Sequence, residues 1–410
     1  MRVGVDYGRK HVDLEVPEGR LVEVHRQPPA APLADPVAAV REALEHPHDF
    51  PALRRALTPD DHVAVAVDDG IPRLAELLPP LLDHLISGGV RHEAITLIWP
   101  ASRPAGWTMA LPDSYRRVHQ EVHDPADRKH LAYLATTRHD RRVYLNRTAV
   151  DADQLVVFAR RRYDPLLGYS GAEGAIFPTL ADEATRQEMC RRLTLAPPGE
   201  HPWPTRQEAT EIAWLLGAPF LVQVIEGAGD EIIHVVAGVS ETTAEGQRLL
   251  DARWRVTAEQ PADIVLGSIG GDPARQDFGE LARAMANAAR VVKPDGRIVL
   301  LSNARPELGP GAEFLRQSGD PGQALGLLRK KTPADAAEAF LWASTVQQAR
   351  VYLLSDLPAE IAEELFITPL DSAEQAQRLI GGDGTCLFLA DAHKTLAVTA
   401  RNPNGHDEDV

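Results

Sequence analysis

Short apolar runs alternate along this chain with stretches of helical periodicity. Val63–Val67 (VAVAV) precedes a helical pattern at Leu74–Ile86 and a second strand at Ala94–Trp99. Gln154–Ala159 restarts the series, followed by a helix at Gln207–Leu216 and strands Phe220–Ile225 and Ile232–Val236 across the Gly-Ala-Gly-Asp turn at 227–230. A long amphipathic helix, Glu241–Val256, has Ser240 as its expected N-cap. The series then runs strand Ile264–Ser268, helix Phe278–Val291, strand Arg297–Leu301, helix Pro333–Ala349, and strands Val351–Leu354 and Cys386–Leu389. Strands apolar throughout and separated by helices are the mark of parallel sheets covered on both faces. The expected class is α/β: two α/β domains with mainly parallel sheets flanked by helices and a ligand cleft between them.

The ends and joints are less regular. Val3–Asp6, Val12–Val16 and Leu21–His25 read as short strands, and the Pro/Ala-rich connector Pro28–Pro36 leads to helices at Val37–Leu44 and in the PALRRAL segment after His48. Ala101–Val143 is polar and rich in His and Arg, with no clear periodicity. Pro197–Pro204 reads as a loop, and the polar tail Asn402–Val410 as disordered. The expected division is 1–256 as an N-terminal unit, 257–389 as a smaller C-terminal unit, and 390–410 as a segment returning to the first.

Composition narrows the function classes. The chain has 410 residues, long enough for two cores, and its 44% hydrophobic and 25% charged residues fit a globular protein. A net charge of −16 argues against nucleic-acid or anionic-membrane binding, which needs a basic face. The basic run Arg160–Arg162 reads as a solvated face. No apolar run is long enough to span a bilayer, and MRVGVDYGRK lacks the apolar core of a signal peptide. With only Cys190 and Cys386, a disulfide framework is not expected, and the chain reads as cytoplasmic.

Candidate chemistry gathers at strand ends. Asp68 and Asp69 follow Val63–Val67, with Arg73 just beyond, where ligands bind in open parallel sheets; the same residues also suit a helix cap. Ser102 and Arg103 follow the next strand. The stretch YDPLLGYSGAEGAIFP (Tyr163–Pro178) follows Gln154–Ala159 and leads to a helix expected near Leu180. Gly168, Ser170 and Gly171 suit a backbone that approaches an anion. The loop holds Asp164 and Glu173 but no Lys, His or Arg after Arg162, so the shape of a phosphate cradle comes without its usual cation. Cys190 reads as an inert core thiol. His119 and His123 form HQEVH, which is not the HExxH zinc pattern.

In order and spacing, several segments together resemble the lactate racemase family, whose founding enzyme uses a nickel-pincer nucleotide. They are DYGRKHVDLEVPEGRLVEV, PLADPVAAVREALEHP, VAVAVDDGIPR, LNRTAVDADQLVVFA, GYSGAEGAIFP, DIVLGSIGGDPARQDFGELARA and PDGRIVLLSNARPELG. The resemblance implies a cofactor loop at 168–178, with Asp69, Arg73, Gly168, Ser170 and Gly171 as binding residues. It also implies departures. The Lys that anchors the pincer is replaced by Gly174, and the two catalytic His by Asp164 and Ser102. The nickel-ligating His is replaced by Cys190, and a substrate-contacting Lys by Arg283. Pro72 and Arg73 are exchanged relative to the family's rim.

The nickel-pincer nucleotide implied by the family is therefore doubtful here, and no metal ligand is assigned. Asp164 and Arg283 are the groups left for catalysis. Two readings follow: a degenerate homologue binding a nucleotide or small carboxylate or other anion in the cleft, or an active racemase or epimerase on a small 2-hydroxy acid with altered cofactor use.

Overall fold

The computed structural model describes residues 1–138, 140–195, 204–239 and 242–400. The expected Ser240 cap, most of the Pro197–Pro204 loop and the Asn402–Val410 tail lie outside them.

The fold is α/β and built on two mainly parallel sheets. The first has six strands in the order Ile232–Gly238, Phe220–Glu226, Gln154–Arg160, Val63–Val67, Ile95–Trp99 and His119–Val122. All neighbours are parallel except the first pair. Every residue of Val63–Val67 is buried, because helices cover both faces. On one face Leu77, Leu78, Leu81, Leu82 and Leu85 of the helix Leu74–Ser87 fill the core. On the other, Phe177, Leu180 and Ile212 pack against Val157 and Leu221.

The second sheet is wholly parallel: Thr368–Leu370, Arg350–Leu354, Val292–Leu301, Ala262–Ser268 and Cys386–Leu389. Helices Phe278–Ala289 and Ala336–Gln348 cover one face, with Phe278 stacked on Trp342 at 4.6 Å. The opposite face is closed by the N-terminal hairpin Arg2–Tyr7/Lys10–Glu15, whose Val5 and Leu14 pack with Ile264 and Leu266. The sequence pattern groups these opening residues with 1–256. The structure differs here because the hairpin's alternating apolar face, together with Ala376 and Ile380 of the helix Ala373–Gly381, completes the core on that side of the second sheet. Arg255–Ala258 pairs with Leu396–Thr399 and with Val24–His25, forming a three-stranded strap beside Trp254 and Tyr163.

Periodicity finds the long elements to within a few residues and fails where polar contacts decide. Ala101–Val143 holds the strand His119–Val122 and half of a ribbon, Leu131–Thr136 with Arg142–Asn146. The glycine stretch is not a strand-to-helix turn. It is a hairpin, Arg162–Asp164 with Gly168–Ser170, then a short 3-10 turn at Ala172–Ala175, and its helix begins only at Glu183. No helix among the described residues is long and apolar enough to cross a membrane.

Candidate functional site

The carboxyl ends of Val63–Val67 and Ile95–Trp99 meet as a charged rim. Arg103 Nε donates to Asp69 Oδ2 at 2.5 Å and its guanidinium lies over Trp107. Burial raises the Asp69 pKa against the pull of Arg103, and the neighbouring Asp68 charge adds to the rise. Asp68 is also disfavoured by burial, yet Arg160 overcomes this with donors at 2.8 and 3.1 Å and holds the carboxyl below its usual range. Ser102 is exposed, and among the described residues no base hydrogen-bonds to it. Arg73 does not join the rim. It occupies the left-handed region at the start of its helix and pairs with Glu76 in solvent. Arg275, from the second sheet's side, donates instead to the Gly70 carbonyl at 2.5 Å and to Asp230.

The Arg160–Arg162 run is not a solvated face. It follows the buried strand Gln154–Arg160 into the junction between the sheets, where Arg161 and Arg162 are both buried. Arg162 donates to both oxygens of Glu280 at 2.6 and 3.0 Å and lies 3.2 Å from Glu226. Burial works against the Glu280 charge, but Arg162 and Arg283 hold its pKa far below the usual carboxylate range. A small, water-sized pocket lies here, lined by Arg160, Arg162, Glu226, Arg275, His393 and Lys394 among others. His393 is buried and held neutral by desolvation.

Arg161 resolves the missing cation of the glycine loop. Its guanidinium lies over the Tyr169 ring and its Nη1 donates to the carbonyls of Ser170 and Gly171, each at 3.4 Å. The loop therefore turns carbonyls, not N–H groups, toward this cation, which does not suit a phosphate cradle. Gly168 and Gly171 both have positive φ, and a Cβ on Gly171 would come within 2.0 Å of the Arg160 carbonyl. These glycines serve the hairpin first. Glu173 is buried and accepts from Thr243 Oγ1 at 2.7 Å, so it is a structural acid.

The hairpin tip brings Asp164 to the helix Phe278–Ala289. Asp164 Oδ1 accepts from the N–H groups of Leu166 and Leu167 at 2.8 and 2.9 Å, which fixes the turn. Its charge acts on both Arg283 and Arg290. Arg283 sits 3.4 Å from Glu280 and 4.0 Å from Glu338, and makes no hydrogen bond among the described residues. Burial raises the Glu338 pKa although Arg283 opposes this. Arg283 and Asp164 are therefore brought together, whereas Asp69 belongs to the rim behind Gly70 and Arg73 to the surface.

Cys190, on the helix Glu183–Arg191, packs against the second core and shares this neighbourhood with Glu338. Burial raises its thiol pKa above the ordinary 9.0, and Glu338 and Glu183 add to the effect against Arg186. The expected result is slow iodoacetamide labelling of Cys190 at neutral pH, accelerating only above the ordinary thiol pKa, followed by peptide mapping. Rapid labelling at neutral pH would contradict this placement.

The donor set does not fit a tethered nickel-pincer nucleotide. Gly174 lines a small pocket with Arg161, Tyr169 and Glu173 but carries no amine to form a tether. The thiol at 190 is held protonated, which disfavours metal ligation. Among the described residues, no three His, Cys, Asp or Glu side chains converge as a metal site.

Arg162, Glu226, Glu280, Arg290 and Glu338 are functional candidates the sequence pattern passes over. The available signal was a basic run directly after a fully apolar strand, facing a helix that repeats charge at 280, 283 and 290.

Residues 7–197 match the family described as lactate racemase N-terminal domain. A curated lactate racemase from Thermoanaerobacterium thermosaccharolyticum is 23% identical over 273 residues. That match spans 63% of this chain and 63% of the relative, less than two thirds of its length. The lactate racemase apoprotein structure from the same organism superposes with a TM-score of 0.79 at 19% identity, over 97% of this chain and 100% of that one. A Thermotoga maritima protein superposes with a TM-score of 0.65 at 14% identity, over 92% and 100%. At those identities the superpositions establish the fold. The chain is an α/β protein with a lactate-racemase-like fold, and its residues 7–197 match the lactate racemase N-terminal domain family.

Proposed function

We propose that this protein binds a small carboxylate in the cleft between its two sheets and does not carry out nickel-pincer racemisation. One observation carries the binding half: among the described residues Arg283 makes two loose ion pairs and no hydrogen bond, while the charge of Asp164 reaches it from the first sheet's side. Glu280 is already committed to Arg162 through two closer contacts, so the Arg283 fork remains available. A guanidinium presents a planar pair of N–H donors that matches a carboxylate. Asp164 would then accept a hydrogen bond from a hydroxyl on the neighbouring carbon. The chemistry half rests on Gly174 and Cys190, which supply neither tether nor ready ligand. A nucleotide is the weaker choice of ligand, because the glycine loop's carbonyls face Arg161.

The test is calorimetric titration of the full chain with L-lactate as probe. Arg283→Ala is expected to weaken binding by about tenfold or more, the value of a charge-assisted pair. Unchanged affinity would remove Arg283 from the site.

A second reading, an active racemase or epimerase, is favoured by one feature. Asp164 and Glu338 reach Arg283 from opposite sheets, as two proton-transfer groups on opposite faces of a substrate would. Incubation of L-lactate in deuterium oxide, with chiral separation of the product, decides it. Appearance of D-lactate that is lost in Glu338→Gln would establish turnover and displace the binding reading.

A further inference from the structure

The second sheet has a ligand crevice of its own. Its strands run in chain order from Ala262–Ser268 through Val292–Leu301 and Arg350–Leu354 to Thr368–Leu370. The chain then returns to place Cys386–Leu389 on the other side of Ala262–Ser268. Ligands of open parallel sheets bind where the order reverses, outside the carboxyl ends of the strands. That crevice lies between residues 269–272 and 390–394, and a hairpin of the first sheet fills it.

The filling group is the turn at 227–230, which joins Phe220–Glu226 to Ile232–Gly238. Asp391 spans the crevice: its Oδ1 accepts from Gly270 N–H at 2.9 Å and its Oδ2 from Gly229 N–H at 3.0 Å. Lys394 is buried and donates to the carbonyls of Gly227, at 3.0 Å, and of Gly229. The two backbones approach closely, since a Cβ on Gly229 would stand 3.2 Å from Gly271 N. Asp230 then sets a carboxylate on two donors of the second sheet's side. Its Oδ2 accepts from Asp272 N–H at 2.7 Å and its Oδ1 from Arg275 Nη1. Gly229, Asp230, Gly270, Asp272, Arg275 and Lys394 all line the small pocket between the sheets, so these groups surround one space.

A backbone N–H and a guanidinium that converge on the two oxygens of one carboxylate are the donors a free carboxylate would need. An ordinary surface ion pair lacks the backbone donor and contributes little. The side chains of Asp230 and Arg275 are 39% and 29% exposed, so solvent reaches the seat from one side. Arg275 also donates to the Gly70 carbonyl at 2.5 Å, a contact that orients its guanidinium without help from Asp230.

We infer that Asp272 N–H and Arg275 form a carboxylate site other than Arg283, and that Asp230 occupies it as an internal ligand. The crevice of the second sheet thereby serves as the joint between the two sheets. A free carboxylate enters it only where Asp230 gives way. None of this depends on the ligand proposed for Arg283.

Thermal melting of the full chain tests it, in sodium acetate against sodium chloride at equal ionic strength. Asp230→Ala is expected to melt at least about 3 °C below the wild type, because two charge-assisted hydrogen bonds are lost. Acetate should recover more than half of that loss, saturably. Chloride, which cannot meet both donors as two oxygens do, should recover little. Adding Arg275→Met to Asp230→Ala should abolish the acetate response. Asp230→Asn keeps the seat filled, so it should melt below the wild type without responding to acetate. The wild type reports any acetate effect elsewhere, including at Arg283. If Asp230→Ala melts with the wild type, the pair is an ordinary surface contact and the inference fails. It fails equally if acetate raises the wild type and Asp230→Ala alike, or leaves Asp230→Ala unchanged.

Discussion

Glu280→Ala is expected to destabilise the protein by about 3–5 kcal/mol, measured by urea denaturation. The side chain is buried and holds both outer nitrogens of Arg162, at 2.6 and 3.0 Å, while lying 3.4 Å from Arg283. Removing it leaves the Arg162 guanidinium, itself buried, with only Glu226 at 3.2 Å, and Glu226 is shared with Lys394 and Arg275. The cost comes from the cation left behind rather than from the bond lost. Adding Arg162→Met should therefore recover much of the loss, since a buried pair replaced by apolar groups is often neutral. A loss in Glu280→Ala below about 1 kcal/mol would mean that the pair is wet and does not hold the two sheets together.

The second large effect is a contrast between two glycines three residues apart. Gly171 has φ 77° and ψ −172°, a region other residues avoid, and a Cβ there would stand 2.0 Å from the Arg160 carbonyl oxygen. Gly171→Ala is expected to cost ~3 kcal/mol or more, because the obstacle is backbone and cannot swing away. At Gly174 a Cβ would meet only the Tyr169 carbonyl, at 3.9 Å. Gly174→Lys should fold with a stability within about 1 kcal/mol of the wild type. Thermal melts of both variants measure the contrast. If Gly174→Lys melted as low as Gly171→Ala, the glycine at 174 would be a steric requirement rather than the loss of a side chain the site once carried.

These two positions also show what the residues reveal unaided. Both glycines stand out in the sequence, and both look like parts of one anion loop. Only the backbone separates Gly171, forced by the Arg160 carbonyl, from Gly174, which has room for a side chain. The long strands and helices were legible because burial on both faces of a parallel sheet imposes unbroken apolar runs, as in Val63–Val67. The N-terminal hairpin was legible as strands but not in its placement, since alternation shows which face is buried and not what covers it.

The site was half legible. Asp164 and Arg283 came from the family pattern, and the charge of Asp164 reaches Arg283 without a direct ion pair among the described residues. Arg73 came from the same pattern, but at positive φ at the start of its helix its side chain pairs with Glu76 in solvent. Arg162 and Glu280 could not be paired from sequence. They are 118 positions apart, and a charge run reads as solvated until the fold supplies its partner.

On the reading proposed above, this lactate-racemase-like fold keeps an anion cleft without the tethered nickel cofactor. The most direct test is native mass spectrometry with elemental analysis of the protein purified from its own cells. The account predicts an intact mass equal to that of the 44.7 kDa chain, with nickel well below one equivalent and no sulfur-bearing nucleotide adduct. Stoichiometric nickel together with a retained nucleotide adduct would contradict it.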